Sequence, residues 1–229
     1  MPLLGRKSPP EPPPNPDDWR PQRFGRGGRS LRDAIIEPGW SGIRVLARFE
    51  DGRTRFIDEE GIDCTDEFAE VAEAVATAAL AGDLILEGHL TVEPTQVVAG
   101  VPGDEIQAPT AGQMMVQMLA GNRIGRGARP QRRLDPDRPI AFVAVDLLRI
   151  DGTPLLDIPL LERKRLLDGS LAQTDLVRIT PFIRPPMGSF ITTWRSAGFI
   201  ALAYKATNSR YLPSARNDDW SIVRMPAAR

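Results

Sequence analysis

Several residue types that most often carry chemistry are scarce in this chain. Among its 229 residues there is one cysteine, Cys64, which excludes an internal disulfide framework and fits a reduced cytoplasmic thiol. There is one histidine, His89, and a lone histidine cannot form a histidine-based metal cluster. Lysine is rarer still relative to charge: only Lys7, Lys164 and Lys205 occur among 29 cationic side chains. Arginine stays protonated, so chemistry that needs a neutral amine is confined to those three positions. No apolar run reaches the ~18 residues of a membrane span, and Met1 to Pro16 contains no apolar core of signal-peptide length. The expectation is a cytoplasmic protein with no membrane association.

Net charge is −1, which excludes a surface built wholly for nucleic acid. The arginines are nonetheless clustered. Arg6, Lys7, Arg20, Arg23, Arg26, Arg29 and Arg32 face only Glu11, Asp17 and Asp18, and a second run carries Arg123, Arg126, Arg129, Arg132, Arg133 and Arg138. Either stretch can meet phosphates, because clustered cations release counterions; either can equally be a solvated segment.

Composition divides the chain in two. Residues 1–30 hold Pro9-Pro10, Pro12-Pro13-Pro14 and Arg26-Gly27-Gly28-Arg29, a composition that cannot bury a core and predicts a disordered basic arm. Residues 31–229 read as one α+β domain. Two β-rich runs, Ile43 to Phe49 and Thr54 to Ile57, flank Asp51-Gly52 and predict a hairpin. Asp66 is the expected cap of a helix through Ala79, with Phe68, Val71, Val75 and Ala78 at helical spacing. Strands are expected at Leu84 to Val92, at Ile140 to Ile150 before a second Asp-Gly turn, at Phe199 to Lys205 and at Trp220 to Met225. Helices are expected around Gln113 to Leu119, Leu160 to Leu167 and Ser189 to Ser196, with Leu176 to Ile183 extended. Hairpins mixed with helices in this order indicate α+β rather than alternating βαβ units.

Motif-like runs occur in a definite order. They are Glu37-Pro38-Gly39-Trp40-Ser41-Gly42-Ile43-Arg44, then Leu86-Glu87-Gly88-His89-Leu90, then Phe142-Val143-Ala144-Val145-Asp146-Leu147-Leu148 before Asp151-Gly152. Next come Pro154 to Leu167, Gly198-Phe199-Ile200-Ala201-Leu202-Ala203-Tyr204-Lys205, Ser209-Arg210-Tyr211-Leu212-Pro213 and Asp219-Trp220-Ser221-Ile222-Val223-Arg224. From about residue 35 to 225 this series resembles the adenylation domain of ATP-dependent DNA ligases. The family's corresponding patterns are roughly E-P-K-x-D-G-x-R, L-D-G-E-L, F-x-x-F-D-L-L, L-x-x-x-P-L-x-x-R-R-x-x-L, G-F-E-G-V-V-A-K, S-x-Y-x-P and D-W-L-K-V-K. The resemblance implies a nucleotidyltransferase fold of the DNA ligase/mRNA-capping type, ATP-grasp-like, with antiparallel sheets flanked by helices. Because the chain stops near the last motif, no OB domain is expected.

The resemblance also shows what has changed. The family's lysine attacks the α-phosphate of ATP; Gly39 stands in its place and has no side chain to attack with. Ser41 replaces the aspartate, His89 the ribose-contacting glutamate, Ile200 the metal-binding glutamate and Ile222 a phosphate-binding lysine. Val145 stands where an aromatic stacks on adenine, a ring contribution worth roughly 1 kcal/mol. ATP and Mg²⁺ are the cofactors the family implies. The residues left to hold a nucleotide are Glu37, Arg44, His89, Val145, Lys205 and Arg224, with no metal ligand among them. His89 is either a residual ribose contact or a strand residue with one hydrogen-bond partner.

Three readings follow. The first is a catalytically inactive ligase-like domain that binds nucleotide, nicked or double-stranded DNA through its arginine-rich segments, or a protein partner such as an active ligase, in DNA repair or recombination. The second is an active ligase with an unorthodox nucleophile, for which Lys205 is the sole candidate; Lys164 is expected on a helix remote from the pocket. The third is a purely structural interaction module.

Overall fold

The main sheet is organised by two Asp-Gly turns. In the computed structural model, which describes residues 13, 15–26, 31, 33–92, 140–185 and 190–225, Asp51 and Gly52 have φ of 52° and 72°, and Asp151 and Gly152 have 45° and 78°. Positive φ at both central residues matches the twist of paired strands. The first turn joins β3 (Ile43–Glu50) to β4 (Arg53–Asp58), and the second joins β6 (Ala141–Ile150) to β7 (Thr153–Pro154). β5 (Asp83–Thr91) lies between β3 and β6, giving the order β4-β3-β5-β6-β7. A short β8 (Val177–Ile179) pairs with β6 in parallel.

β3 and β6 are buried along nearly their whole length, because both faces of the sheet are covered. On one face Val45, Ala47, Phe56, Leu84 and Leu86 pack with Phe68, Val71 and Val75 around α1 (Ala69–Ala78). On the other, Leu46, Ile85 and Leu148 pack with Ile35, Leu160, Tyr211 and Trp220. A smaller antiparallel sheet, ordered β11-β9-β2, consists of β2 (Ala34–Pro38), β9 (Ala201–Ala206) and β11 (Trp220–Arg224). Its register sets Glu37 opposite Ala203, Lys205 opposite both Ile35 and Trp220, and Ala203 opposite Ile222. Strand alternation therefore places Glu37, Ala203, Lys205, Trp220 and Ile222 on one face. Ala34, Ile36, Leu202 and Tyr204 on the other face pack with Trp194 of α3 (Phe190–Ser196).

α2 (Leu160–Ser170) extends three residues beyond its expected end. A buried ion pair binds it to the main sheet: Arg163 Nε and Nη2 donate to Asp146 Oδ1 and Oδ2 at 2.9 and 2.7 Å. Arg163 also donates to the Ser209 carbonyl at 3.0 Å. The segment that best matches the family pattern is thus a structural clamp.

Two expectations need correction. Asp66 does not cap α1: it lies within a 3-10 turn, Thr65–Phe68, that precedes the helix. That turn is held by Thr65, whose Oγ1 accepts from Phe56 N–H at 2.9 Å. The folded unit also reaches back to Asn15 rather than beginning near Leu31. Trp19 and Gln22 are buried, and β1 (Arg23–Phe24) pairs in parallel with β10 (Arg216–Asn217). A few docking side chains outweigh the proline-rich composition around them. The helix expected near Gln113 to Leu119, the basic run 123–138, and residues 1–12 and 27–30 lie outside the described residues.

Candidate functional site

The charged face of the small sheet meets the main sheet across a narrow cleft. Phe24, Glu37, Gly39, Trp40, Glu87, His89, Val145, Ala203, Lys205 and Ile222 line a cavity of about 30 Å³. Glu37, at the end of β2, is 1% exposed. Its Oε2 lies 2.7 Å from Lys205 Nζ, and its Oε1 forms an ion pair with Lys164 Nζ. Lys164 also donates to the Val145 carbonyl at 2.6 Å, while Lys205 Nζ sits 3.9 Å from the centroid of the Trp220 ring. Burial pulls the Lys164 pKa below the ordinary lysine value, and Lys205 adds to the effect while Glu37 opposes it. One carboxylate therefore engages both lysines of the domain.

The family resemblance led us to expect Lys164 far from the pocket; α2 instead carries it behind the cleft, against Glu37 and the Val145 carbonyl. The helical phase accounts for this. Leu160, Arg163, Lys164 and Leu167 fall at i, i+3, i+4 and i+7, one stripe facing the core, and all four are buried.

A second charged group lies beside the first. Arg44 Nε donates to Glu87 Oε1 at 2.6 Å, and Nη1 reaches Glu59 at 3.3 Å. Burial acts to lower the Arg44 pKa, but Glu87, Tyr211 and Glu59 outweigh it and hold it above the usual value. His89 lies two residues along β5 from Glu87 and so shares its face. Burial, reinforced by Arg44 and Lys205, pushes His89 down to about 3, against a hydrogen bond with the Ser41 backbone. His89 is neutral at physiological pH.

Gly39 is held by a close approach of backbones. Its N–H donates to the Ala201 carbonyl at 2.9 Å. A Cβ at position 39 would lie 2.7 Å from Ala201 Cβ and 2.8 Å from Ala201 C. Any side chain, lysine included, requires β9 to move. Ala201 stands where the family pattern has glycine, so the missing side chain at 39 is matched by an added methyl group opposite. Gly42, which the motif retains, has φ of +92°, and a Cβ there would meet the Leu90 carbonyl at 2.2 Å. That backbone conformation and that proximity both demand glycine.

Of the residues expected to hold a nucleotide, Glu37, His89, Val145 and Lys205 converge on the cleft. Arg44 sits behind it, bonded to Glu87. Arg224 pairs with Ala201 at the far end of β11, is exposed, and does not line the cavity. Phe24, Glu87 and Trp40 line the cleft without having been singled out. Glu87 shares strand phase with His89 and was legible on that ground, whereas no local pattern marks Phe24.

These residues do not fit a magnesium-bound triphosphate. Small-molecule pockets span roughly 300–1,000 Å³, against about 30 Å³ here. Glu37 and Glu87 are engaged by cations, and Ile200, 55% exposed, offers no oxygen ligand. Among the described residues no group of three or more histidine, cysteine, aspartate or glutamate side chains is placed to hold a metal ion.

Comparison with known proteins gives a consistent picture. The family model described as "ATP dependent DNA ligase domain" matches residues 29–223. DNA ligase 1 of Korarchaeum cryptofilum is 27% identical over 208 residues, covering 85% of this chain and 35% of that protein. The multifunctional non-homologous end joining DNA repair protein LigD of Mycobacterium tuberculosis is 29% identical over 186 residues, covering 81% of this chain and 21% of LigD. A solved structure of mycobacterial DNA ligase D complexed with ATP and MES aligns with a TM-score of 0.63 at 21% identity, over 92% of this chain and 61% of that one. The last likeness concerns the fold alone. The chain spans about a third or less of the length of these two curated relatives. Among the described residues no helix is long and apolar enough to cross a membrane.

Two predictions follow from the geometry. At an unhindered site Gly→Ala stabilises by about 0.4–1 kcal/mol; Gly39→Ala is expected instead to destabilise by about 1–3 kcal/mol through overpacking. Adding Ala201→Gly removes the opposing methyl and recovers most of that loss, as urea denaturation of the three proteins will measure. For His89 the folded pKa lies below the unfolded value, so the unfolded chain binds the extra proton. Stability is therefore full above about pH 6.5 and falls by up to about 1.4 kcal/mol per pH unit as pH drops towards 5. His89→Gln is expected to flatten that limb in denaturation curves taken across the same range.

Proposed function

The chain belongs to the ATP-dependent DNA ligase domain family, and from that premise we propose that it is a non-adenylating member that acts by binding. The observation that carries this reading is the contact between Gly39 and Ala201. The position of the family's nucleophile has no side chain, and the opposite strand occupies the space one would need. The remaining amines support the same reading. Lys164 and Lys205 are both buried against Glu37, each at ion-pair distance from one of its oxygens. To attack, either amine would have to leave the carboxylate that holds it in the interior.

The runner-up, an active ligase with Lys205 as nucleophile, would need that lysine to leave Glu37 and the Trp220 ring together. The cleft would also have to supply cations for the α-phosphate in the transition state. Within the cleft cluster Lys164 and Lys205 are set against Glu37, Arg44 against Glu87 and Glu59, and Arg163 against Asp146. These four cations face four carboxylates, so the cluster carries no surplus positive charge for a triphosphate. We therefore place the binding role outside this cleft, with DNA or a repair protein as the partner. The repair setting is suggested by the name of the mycobacterial relative, and the folded unit we assign runs from Asn15.

Intact-mass spectrometry after incubation with ATP and Mg²⁺, beside an active ligase as control, tests the reading. The expected spectrum is the unmodified chain. Attachment of one AMP, which Lys205→Ala abolishes, would establish the runner-up instead.

A further inference from the structure

We propose that the segment Pro21–Gly25 is a strap that closes the cleft from within, with the Phe24 ring filling the slot a flat ligand ring would need. The proposal rests on reading this cleft as the family's nucleotide site, and it is independent of whether the chemistry has been lost. Phe24 lines the cavity together with Glu37, His89 and Lys205. Its ring centroid is 5.8 Å from that of Trp220, tilted by 49°. The Arg44 guanidinium carbon lies 5.2 Å from the same centroid. A second aromatic and a stacked guanidinium are the partners a purine would seek in such a slot. The chain's own phenylalanine already has both.

The strap is anchored on both sides of Phe24. Arg23 N–H donates to the Ala215 carbonyl at 2.8 Å, and Gly25 N–H donates to the Trp220 carbonyl at 2.9 Å. Gln22 is fully buried; its N–H donates to Tyr211 Oη at 3.0 Å, and its Oε1 accepts from Leu212 N–H at 2.7 Å. Farther back, Trp19 is buried and Arg48 Nη2 donates to the Pro16 carbonyl at 2.6 Å. These bonds hold the segment across the cleft whether or not Phe24 is aromatic. His89 Nδ1, in the same cleft, has no hydrogen-bond partner within the protein, so an acceptor remains for a ligand amino group once the ring is removed.

A ligand that must displace these ring contacts loses on the order of tenfold in affinity. The test is calorimetric titration of the full chain with ADP in the presence of a chelator, so that binding is read without adenylyl transfer. The native protein is expected to show weak or undetectable binding, and Phe24→Ala to bind ADP at least about tenfold more tightly. Near-UV circular dichroism establishes that the variant is folded; if it is not, Phe24→Leu, which keeps an apolar anchor and removes the ring, serves in the same comparison. Equal binding by native and variant proteins would overturn the strap. So would no binding by either protein when the variant is folded. An AMP adduct would overturn the non-adenylating reading and leave this comparison intact. Tight ADP binding by the native chain would do the reverse.

Discussion

Glu37 is the point at which three elements meet. It lies at the end of β2, it engages Lys205 of β9 and Lys164 of α2, and all three side chains are buried. Taking an ion out of water costs several kcal/mol, and the arrangement persists only because each charge finds partners. Trp220 faces the Lys205 ammonium, and the Val145 carbonyl accepts from Lys164. The trio has one positive charge in excess. Arg44 between Glu87 and Glu59 has one negative charge in excess, so the two groups balance each other across the cleft. In this way the residues that most resemble a nucleotide site have become part of the interior that holds the sheets together.

The cleft wall has followed the same course. Gly39 touches Ala201, and Ala203 and Ile222 continue that face where a phosphate-binding surface would need cations. A single lost lysine is easily reversed. Here a methyl group now fills the space opposite it, a phenylalanine strap crosses the cleft, and Ile200 points to solvent in the place of a metal-binding glutamate. On the reading proposed above, each of these differences from the family pattern removes a different requirement of adenylyl transfer. Together they favour retention of the fold for binding.

Much of this architecture was legible in the sequence for definite physical reasons. The two Asp-Gly pairs announced their hairpins because few other residues accept positive φ at both turn positions. The run from Pro154 to Leu167 pointed to the fold through its match to the family pattern, and the buried pair of Arg163 with Asp146 supplies the physical reason for that pattern. The position of Gly39 was readable from its neighbours, but the reason it must remain glycine was not, since Ala201 is distant in sequence. Lys164 was misplaced because family analogy was followed where helical phase pointed to the core. Trp19, Gln22 and Phe24 were hidden in a proline-rich stretch, because docking by isolated side chains leaves no periodic trace. The Asp66 cap failed for a local reason: Thr65 had already committed that turn to β4.

On the proposed reading, both lysines of the domain are withheld from chemistry by their buried partnership with Glu37. Amine acylation of the native protein, quantified residue by residue by mass spectrometry and compared with the urea-unfolded chain, tests it directly. Lys164 and Lys205 are both expected to be strongly protected in the folded state, and to become reactive together when the domain unfolds. Acylation of Lys205 in the folded protein at a rate close to that of the unfolded chain would contradict it, because an amine so accessible is not held by Glu37 and remains available as a nucleophile.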